Sequence, residues 1–207
     1  MKGSAIMKPF WENEYLNKEK STFGSPSQEV VDIVPFLNKC ARILDVGCGD
    51  GRHSLYLAGL GFQVDAFDIS TNAIEKIEYL KERSNLNINT YVCDVLDFNF
   101  KNKYDLIIIH GVLQFIEREK QPIILESLKK WTNVNGYHIV ALFTDEEPVP
   151  EDLRDVMIGV FKNEEIKEYY NEWEIKLFES KKFSDEHENG IKHCHAMNKI
   201  VVKKIFE

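Results

Sequence analysis

The run Asp45-Val46-Gly47-Cys48-Gly49-Asp50-Gly51 sets an acid and three glycines within seven residues, directly after the apolar pair Ile43-Leu44. Glycines at this density let the backbone turn sharply and come into contact with a ligand. Three ligand classes use such a loop after a first strand. A phosphate-cradling Walker loop needs G-x-x-x-x-G-K-[ST]; counted from Gly47, its second glycine falls on Arg52 and no Lys follows. The dinucleotide fingerprint needs G-x-G-x-x-G, and Arg52 stands where its third glycine belongs. Asp45 would also face, and repel, a pyrophosphate.

The third class carries a cationic amino-acid head and an adenosine tail but no phosphate, as S-adenosylmethionine does. A carboxylate at the loop mouth then attracts the ammonium, directly or through water, and the glycine backbone can approach the methionine moiety. Two further positions agree. A ribose with free 2′ and 3′ hydroxyls calls for an acid about 20 residues on, at the end of the second strand, and Asp68 in "VDAFDIS" stands there. An adenine amino group needs an acceptor at the end of the third, where "VCDV" offers Asp94 with the Val95 amide beside it. Each acid alone is what a solvated strand end or a helix cap also supplies. Three at successive strand tips, the first with G-x-G-x-G attached, point to one ligand.

Alternating strand and helix signals must bring these tips together. Residues 42–46 form a buried strand, followed by a helix over 52–60 that stops at Gly61. A second strand covers 62–67, and Ser70 caps a helix with Ile74, Ile77 and Leu80 on one face. Strands over 88–93 and 104–110 follow, with room for a helix between them. The β-branched run Ile107-Ile108-Ile109 marks a central strand covered on both faces. Pro122 opens a helix, and Asn135-Gly136 turns into a strand over 137–143. Upstream, Ser25, Pro26 and Gln28 have the spacing of a helix start, which Pro35 should close. The tail predicts a short helix capped by Asn163, a strand over 172–178, a turn at "HENG" and a long last strand. This is an α/β, Rossmann-like doubly wound sheet, mostly parallel, closed by an antiparallel C-terminal hairpin. Ligands of such sheets sit beyond the carboxyl ends of the strands at the switch point, where "DVGCGDG" lies.

With 207 residues and no internal repeat or linker, one domain over 25–207 is expected, preceded by a segment over 1–24. In that segment Trp11 and Tyr15 stand four apart on a helix face, spaced either for plain core packing, the more common fate of such a pair, or for a lid over the ligand. The formal charge of −8 disfavours nucleic acid, no apolar run is long enough for a membrane, and a small-molecule partner is favoured. Cys40, Cys48, Cys93 and Cys194 form no C-x-x-C pair, so reduced thiols and a cytoplasmic location are expected, in a monomer or homodimer.

From residue 25 to 143 the chain resembles the class I S-adenosylmethionine-dependent methyltransferases. "GCGDGRHSLYLA" and the later "FKNEEIKEYYNEWE" are similar to the tellurite-resistance type, which extends the likeness over nearly the whole chain beyond residue 20. The resemblance implies a seven-stranded sheet with an antiparallel last strand, S-adenosylmethionine as cofactor, and cofactor roles for Asp45, Gly47, Gly49, Asp68, Asp94, Val95 and His110. Cys48 and Ile69 of the same loops, and Arg52, complete the expected cofactor set. Arg52 pairs either with the methionine carboxylate or with a nearby acid such as Asp50. The Arg and His residues typical of the family's final hairpin do not carry over to "SKKFSDEHENG".

Methyl transfer from a sulfonium to a soft acceptor (a thiol as its thiolate, selenite or a tellurite-like species) needs alignment in a dry pocket and little else. An oxygen or nitrogen acceptor of a small metabolite would need a base, for which His110, His193 and His195 are the candidates, with His187 nearby. His110 is placed more for cofactor contact than for proton transfer. His193 and His195 share a strand face and, with Cys194 and His187, raise a metal site; the sequence names no fourth convergent ligand, and no metal is expected. A non-catalytic protein that binds the cofactor is the alternative from another class.

Overall fold

The computed structural model describes residues 11–186 and 192–206. Seven strands form one sheet: β1 (Arg42–Val46), β2 (Gln63–Asp68), β3 (Ile88–Val92), β4 (Tyr104–His110), β5 (Thr132–Phe143), β6 (Glu174–Glu186) and β7 (Lys192–Lys203). Their order is β3-β2-β1-β4-β5-β7-β6. The first five pair in parallel, and β7 is antiparallel to both β5 and β6. The chain reverses its direction of winding between β1 and β4, so the switch point opens where the glycine loop leaves β1.

The helices are α1 (Trp11–Glu14), α2 (Gln28–Ile33), α3 (Arg52–Gly59), α4 (Thr71–Ser84), α5 (Gln121–Lys130) and α6 (Ile166–Tyr169). Alternation along each strand feeds two cores. Ile43, Leu106, Ile108, Ile139 and Val201 meet Val30, Leu57 and Ile77 from α2, α3 and α4 on one face. Leu44, Ile107, Ile109, Val140 and Ile200 meet Ile124, Leu125 and Leu128 of α5 on the other. Fully buried parallel strands are continuous apolar runs for this reason. Among the described residues no helix is long and apolar enough to cross a membrane.

Several local expectations shift. Ser27, not Ser25, stands at the start of α2, in extended backbone with no side-chain cap bond; its hydroxyl is taken instead by His53 Nε2 at 3.1 Å. Pro35 does not simply end the helix but sits in a 3-10 turn over Val34–Phe36. Only turns join β3 to β4, with no helix. The α6 cap position is Glu165 rather than Asn163, because the Asn163 side chain accepts from Ser180 and Asn198. β6 begins two residues late and runs to Glu186, since pairing with β7 extends the whole way. β5 starts already at Thr132, and the Asn135-Gly136 turn interrupts it as a bulge, with Asn135 at φ 68°. The "HENG" turn and His187 lie outside the described residues. Ser70 caps α4 as expected, accepting from the Ala73 amide at 3.2 Å.

Candidate functional site

The glycine loop is held open by its own backbone. Gly47, Gly49 and Gly51 all have positive φ, at 60°, 54° and 82°. A Cβ on Gly47 would overlap a methyl of Val112, and one on Gly51 would lie 2.7 Å from Ile77. No other residue fits these two positions without displacing a core side chain.

Three strand tips are stitched together behind the loop. The Cys48 amide donates to Phe67 O at 2.9 Å, and the Cys93 amide to Asp68 O at 2.9 Å. Asp68 accepts from the Gly49 amide at 2.8 Å with one oxygen and from the Ser70 amide at 2.9 Å with the other. Burial raises its pKa above the ordinary range, against the pull of those two amides. Asp94, half-buried at the end of β3, accepts from the Leu96 amide at 2.9 Å. Val95 is likewise half-buried, and Ile69 at the tip of β2 is 71% exposed.

Asp45 lies beneath the loop, 2% exposed, and accepts from Ser54 Oγ at 2.6 Å. Burial pushes its pKa up to about 7, with the Ser54 bond working the other way. The Cys48 thiol is raised too, by burial and by Asp45 and Asp68, so it stays protonated and unreactive.

Arg52 opens α3 and, among the described residues, bonds neither Asp50 nor another acid. Its Nη1 donates to Phe23 O at 3.0 Å and its Nη2 lies 3.2 Å from His110 Nδ1. His110, at the end of β4, has its Nε2 3.3 Å from Glu29 Oε1. Asp50 instead forms a fully buried pair with Lys76 at 3.0 Å and accepts from the Thr22 amide at 2.6 Å. Lys76 also donates to Lys20 O at 2.7 Å. Residues 15–23 are thereby drawn across the loop: Tyr15 is buried, and its hydroxyl lies 3.0 Å from where a Gly49 Cβ would stand. The Trp11 ring packs on Phe115 at 5.2 Å.

The hairpin histidines lie on β7. His195 on β7 is buried, stacked on Phe143 at 4.6 Å, with Phe183 at 5.4 Å and His193 at 4.8 Å. The structure thus gathers Asp45, Cys48, Gly49, Arg52, Asp68 and His110 around one loop, sets Asp94 and Val95 at its β3 flank, and leaves His193 and His195 on the closing hairpin.

Glu29, His53, Lys76 and Lys199 are missed by motif reading. Burial parity carried the signal. Glu29 stands one α-helical turn before the buried Ile33, and Lys199 alternates with Met197 and Val201 on one face of β7. A charge on an otherwise apolar face marks a buried pair.

The sheet order, the glycine loop and the row of acids define the class I methyltransferase fold. The tellurite resistance protein TehB family matches residues 10–199, and the chain belongs to it. A Haemophilus influenzae (strain ATCC 51907 / DSM 11121 / KW20 / Rd) protein named probable S-adenosyl-L-methionine-dependent methyltransferase TehB is 37% identical over 164 residues, 78% of this chain and 55% of its own. The chain therefore spans about half the length of the curated relatives it matches. The crystal structure of TehB from Haemophilus influenzae agrees with a TM-score of 0.80 at 31% identity, over 94% of this chain and 67% of that one. N-methyltransferase NodS from Bradyrhizobium japonicum WM9, in complex with S-adenosyl-L-homocysteine, shares the fold at TM-score 0.62 and 15% identity, over 96% of this chain and 90% of its own.

Proposed function

We propose that this chain binds S-adenosylmethionine over the glycine loop and transfers its methyl group to a small, soft acceptor such as a thiol, selenite or a tellurite-like species. The observation that carries the cofactor reading is the Asp68 carboxylate tied to the Gly49 amide at 2.8 Å, which joins the second acid to the loop of the first. In this reading Asp45, Gly47, Cys48 and Gly49 receive the amino-acid head, and Arg52 beside His110 its carboxylate. A carboxylate offers about four lone-pair sites; Asp68 spends two on amides and keeps capacity for ribose hydroxyls, with Ile69 alongside. Asp94 and Val95 take the adenine.

In the transfer, an acceptor lone pair forms the new bond to the methyl carbon. The carbon–sulfur bond breaks, and its electrons neutralise the sulfonium to a thioether. The leaving group is already activated, so alignment supplies most of the rate. Both His110 ring nitrogens face charged partners, Arg52 and Glu29, which leaves neither free to act as a base. His195 is packed among aromatic rings, and the His193 ring lies against it at 4.8 Å. This favours an acceptor that arrives already deprotonated, a thiolate whose proton has gone to solvent or a selenite- or tellurite-like anion, and the family's tellurite-resistance description agrees with it. The acidic stretch after β5 does not oppose an anionic acceptor: Asp145 and Glu146 are exposed, and Glu147 pairs with Lys182 at 2.8 Å. We also propose that residues 1–24 include a cover for the bound cofactor, supported by the contacts of Tyr15, Lys20 and Thr22 at the loop.

Calorimetry with S-adenosylhomocysteine, followed by turnover of S-adenosylmethionine with thiols, selenite, tellurite and oxygen and nitrogen metabolites, tests the proposal. Binding plus turnover on the soft acceptors is expected. No heat and no rise in melting temperature with S-adenosylhomocysteine would refute the cofactor reading. Binding without turnover on any acceptor would leave a non-catalytic binding protein.

A further inference from the structure

His110 on β4, Ala141 on β5 and Lys199 on β7 are register partners in one row across the sheet. Register partners point to the same face, here the face covered by α2 and α3. Between these two long side chains Ala141 carries only a methyl, and Glu29 of α2 reaches both. Glu29 is 5% exposed, with Oε2 2.9 Å from Lys199 Nζ and Oε1 3.3 Å from His110 Nε2. Burial alone would raise its pKa, but the nearby His110 and the bond from Lys199 outweigh that and hold the carboxyl well below its ordinary range.

The other ring nitrogen settles the proton's place. An arginine has only donors and stays charged, so Arg52 Nη2 at 3.2 Å requires His110 Nδ1 to be the acceptor. The single proton of the neutral imidazole is then on Nε2, 3.3 Å from Glu29 Oε1 at an ion-pair distance but outside hydrogen-bond geometry. Four charged or titratable groups face this ring: Glu29 from α2, Arg52 and His53 from α3, and Lys199 from β7. Burial favours the neutral ring, Arg52 and Lys199 add to that, and Glu29 opposes it.

We propose that Glu29 and Lys199 are positioning residues for cofactor recognition: the chain Lys199–Glu29–His110 fixes the Nε2-protonated tautomer, which holds the Arg52 guanidinium at the loop to take the carboxylate of the amino-acid head. A buried ion pair is a weak device for stability, often replaceable by apolar packing; its value here lies in orienting a third and a fourth group. Arg52 is anchored on its far side by Phe23 O, so the guanidinium is gripped from two directions with N–H groups to spare. This inference rests on the proposed S-adenosylmethionine site and identifies what sets its carboxylate end.

The test compares two probes on the full chain. S-adenosylhomocysteine carries the amino-acid head, and 5′-methylthioadenosine has the same nucleoside without it. In Glu29→Ala the dissociation constant for S-adenosylhomocysteine should rise about tenfold or more, while that for 5′-methylthioadenosine stays within about twofold. Glu29→Gln keeps one oxygen to turn toward His110 Nε2 but then presents its NH2 group to Lys199, so it should recover only part of the affinity. Lys199→Met, which keeps the strand, should show the same selective loss in smaller measure and serves if Glu29→Ala melts too low to measure. Equal loss for both probes, or no loss for S-adenosylhomocysteine, would overturn the positioning role while wild-type binding upholds the site. Wild-type protein that binds neither probe would overturn the site itself, and the positioning role with it.

Discussion

Asp65 and Asp45 are buried acids on adjacent strands, one residue apart in register, since Leu44 pairs with Asp65 and Asp45 with Ala66. Asp65 is fully supplied. It accepts from the Tyr104 hydroxyl at 2.8 Å and the Asn89 amide at 2.7 Å, with Arg42 at 3.8 Å. Asp45 draws on Ser54 alone among the described residues, through its hydroxyl at 2.6 Å and its backbone, and burial outweighs these and the attraction of Arg52, raising its pKa to about 7. An acid that serves the fold is surrounded by donors, because an unpaired buried carboxylate is costly. An acid left short of donors beneath an open loop has capacity for a cation that arrives later. The difference separates the strand tips that make the site from the part of the sheet that only supports it.

The largest effect should come from exchanging these roles. Asp45→Asn should weaken S-adenosylhomocysteine binding by about 10- to 100-fold, the worth of about 1.5–3 kcal/mol for a hydrogen bond to a charged group. The same substitution should stabilise the ligand-free fold at pH 8. The folded-state pKa of Asp45 lies above its value in the unfolded chain, so the folded state binds the proton more tightly between about pH 4 and 7. Stability falls as pH rises through that window, and the ionised acid remains a cost above it. The melting temperature of Asp45→Asn relative to wild type should therefore climb from pH 4 to pH 8. Asp65→Asn should do the reverse: affinity unchanged, stability lower by about 1–2 kcal/mol as one of two donors loses its acceptor. If both variants lost affinity alike, the contrast would dissolve.

A smaller effect is expected from deleting residues through Phe23. This removes Tyr15 and the donors and acceptors that Asp50, Lys76 and Arg52 use in that segment. Affinity for S-adenosylhomocysteine should fall several-fold, a larger free-energy loss than the accompanying loss of folding stability. Unchanged affinity would rule out the cover.

Much of this arrangement is legible before any coordinates. Strand β4 and its neighbour β1 follow from unbroken apolar runs, and the loop and the acids Asp68 and Asp94 follow from their place at strand ends. These are short-range patterns, within reach of chain periodicity. What escapes is long-range. Glu29 and Lys199 are 170 residues apart and meet only because a β7 residue and a helix preceding β1 share one face. Ser25 looks like a helix cap by spacing, whereas Ser27 stands at that end because His53, 26 residues on, engages its hydroxyl. Likewise β6 runs past its own apolar pattern into "SKKFSDE" because its partner strand continues beside it. Local propensity yields there to a tertiary contact that no window of sequence contains.

The most direct measurement of the central claim is the proton balance of cofactor binding. At pH 6.5, below the raised pKa of Asp45 near 7, most of the free protein carries a proton on this acid. An ammonium bound against it should drive that proton off. Calorimetric titration with S-adenosylhomocysteine in buffers of different ionisation enthalpy should show release of more than about half a proton per site in wild type and close to none in Asp45→Asn. Binding with no net proton exchange in wild type, or with uptake, would contradict the placement of a cationic amino-acid head at Asp45.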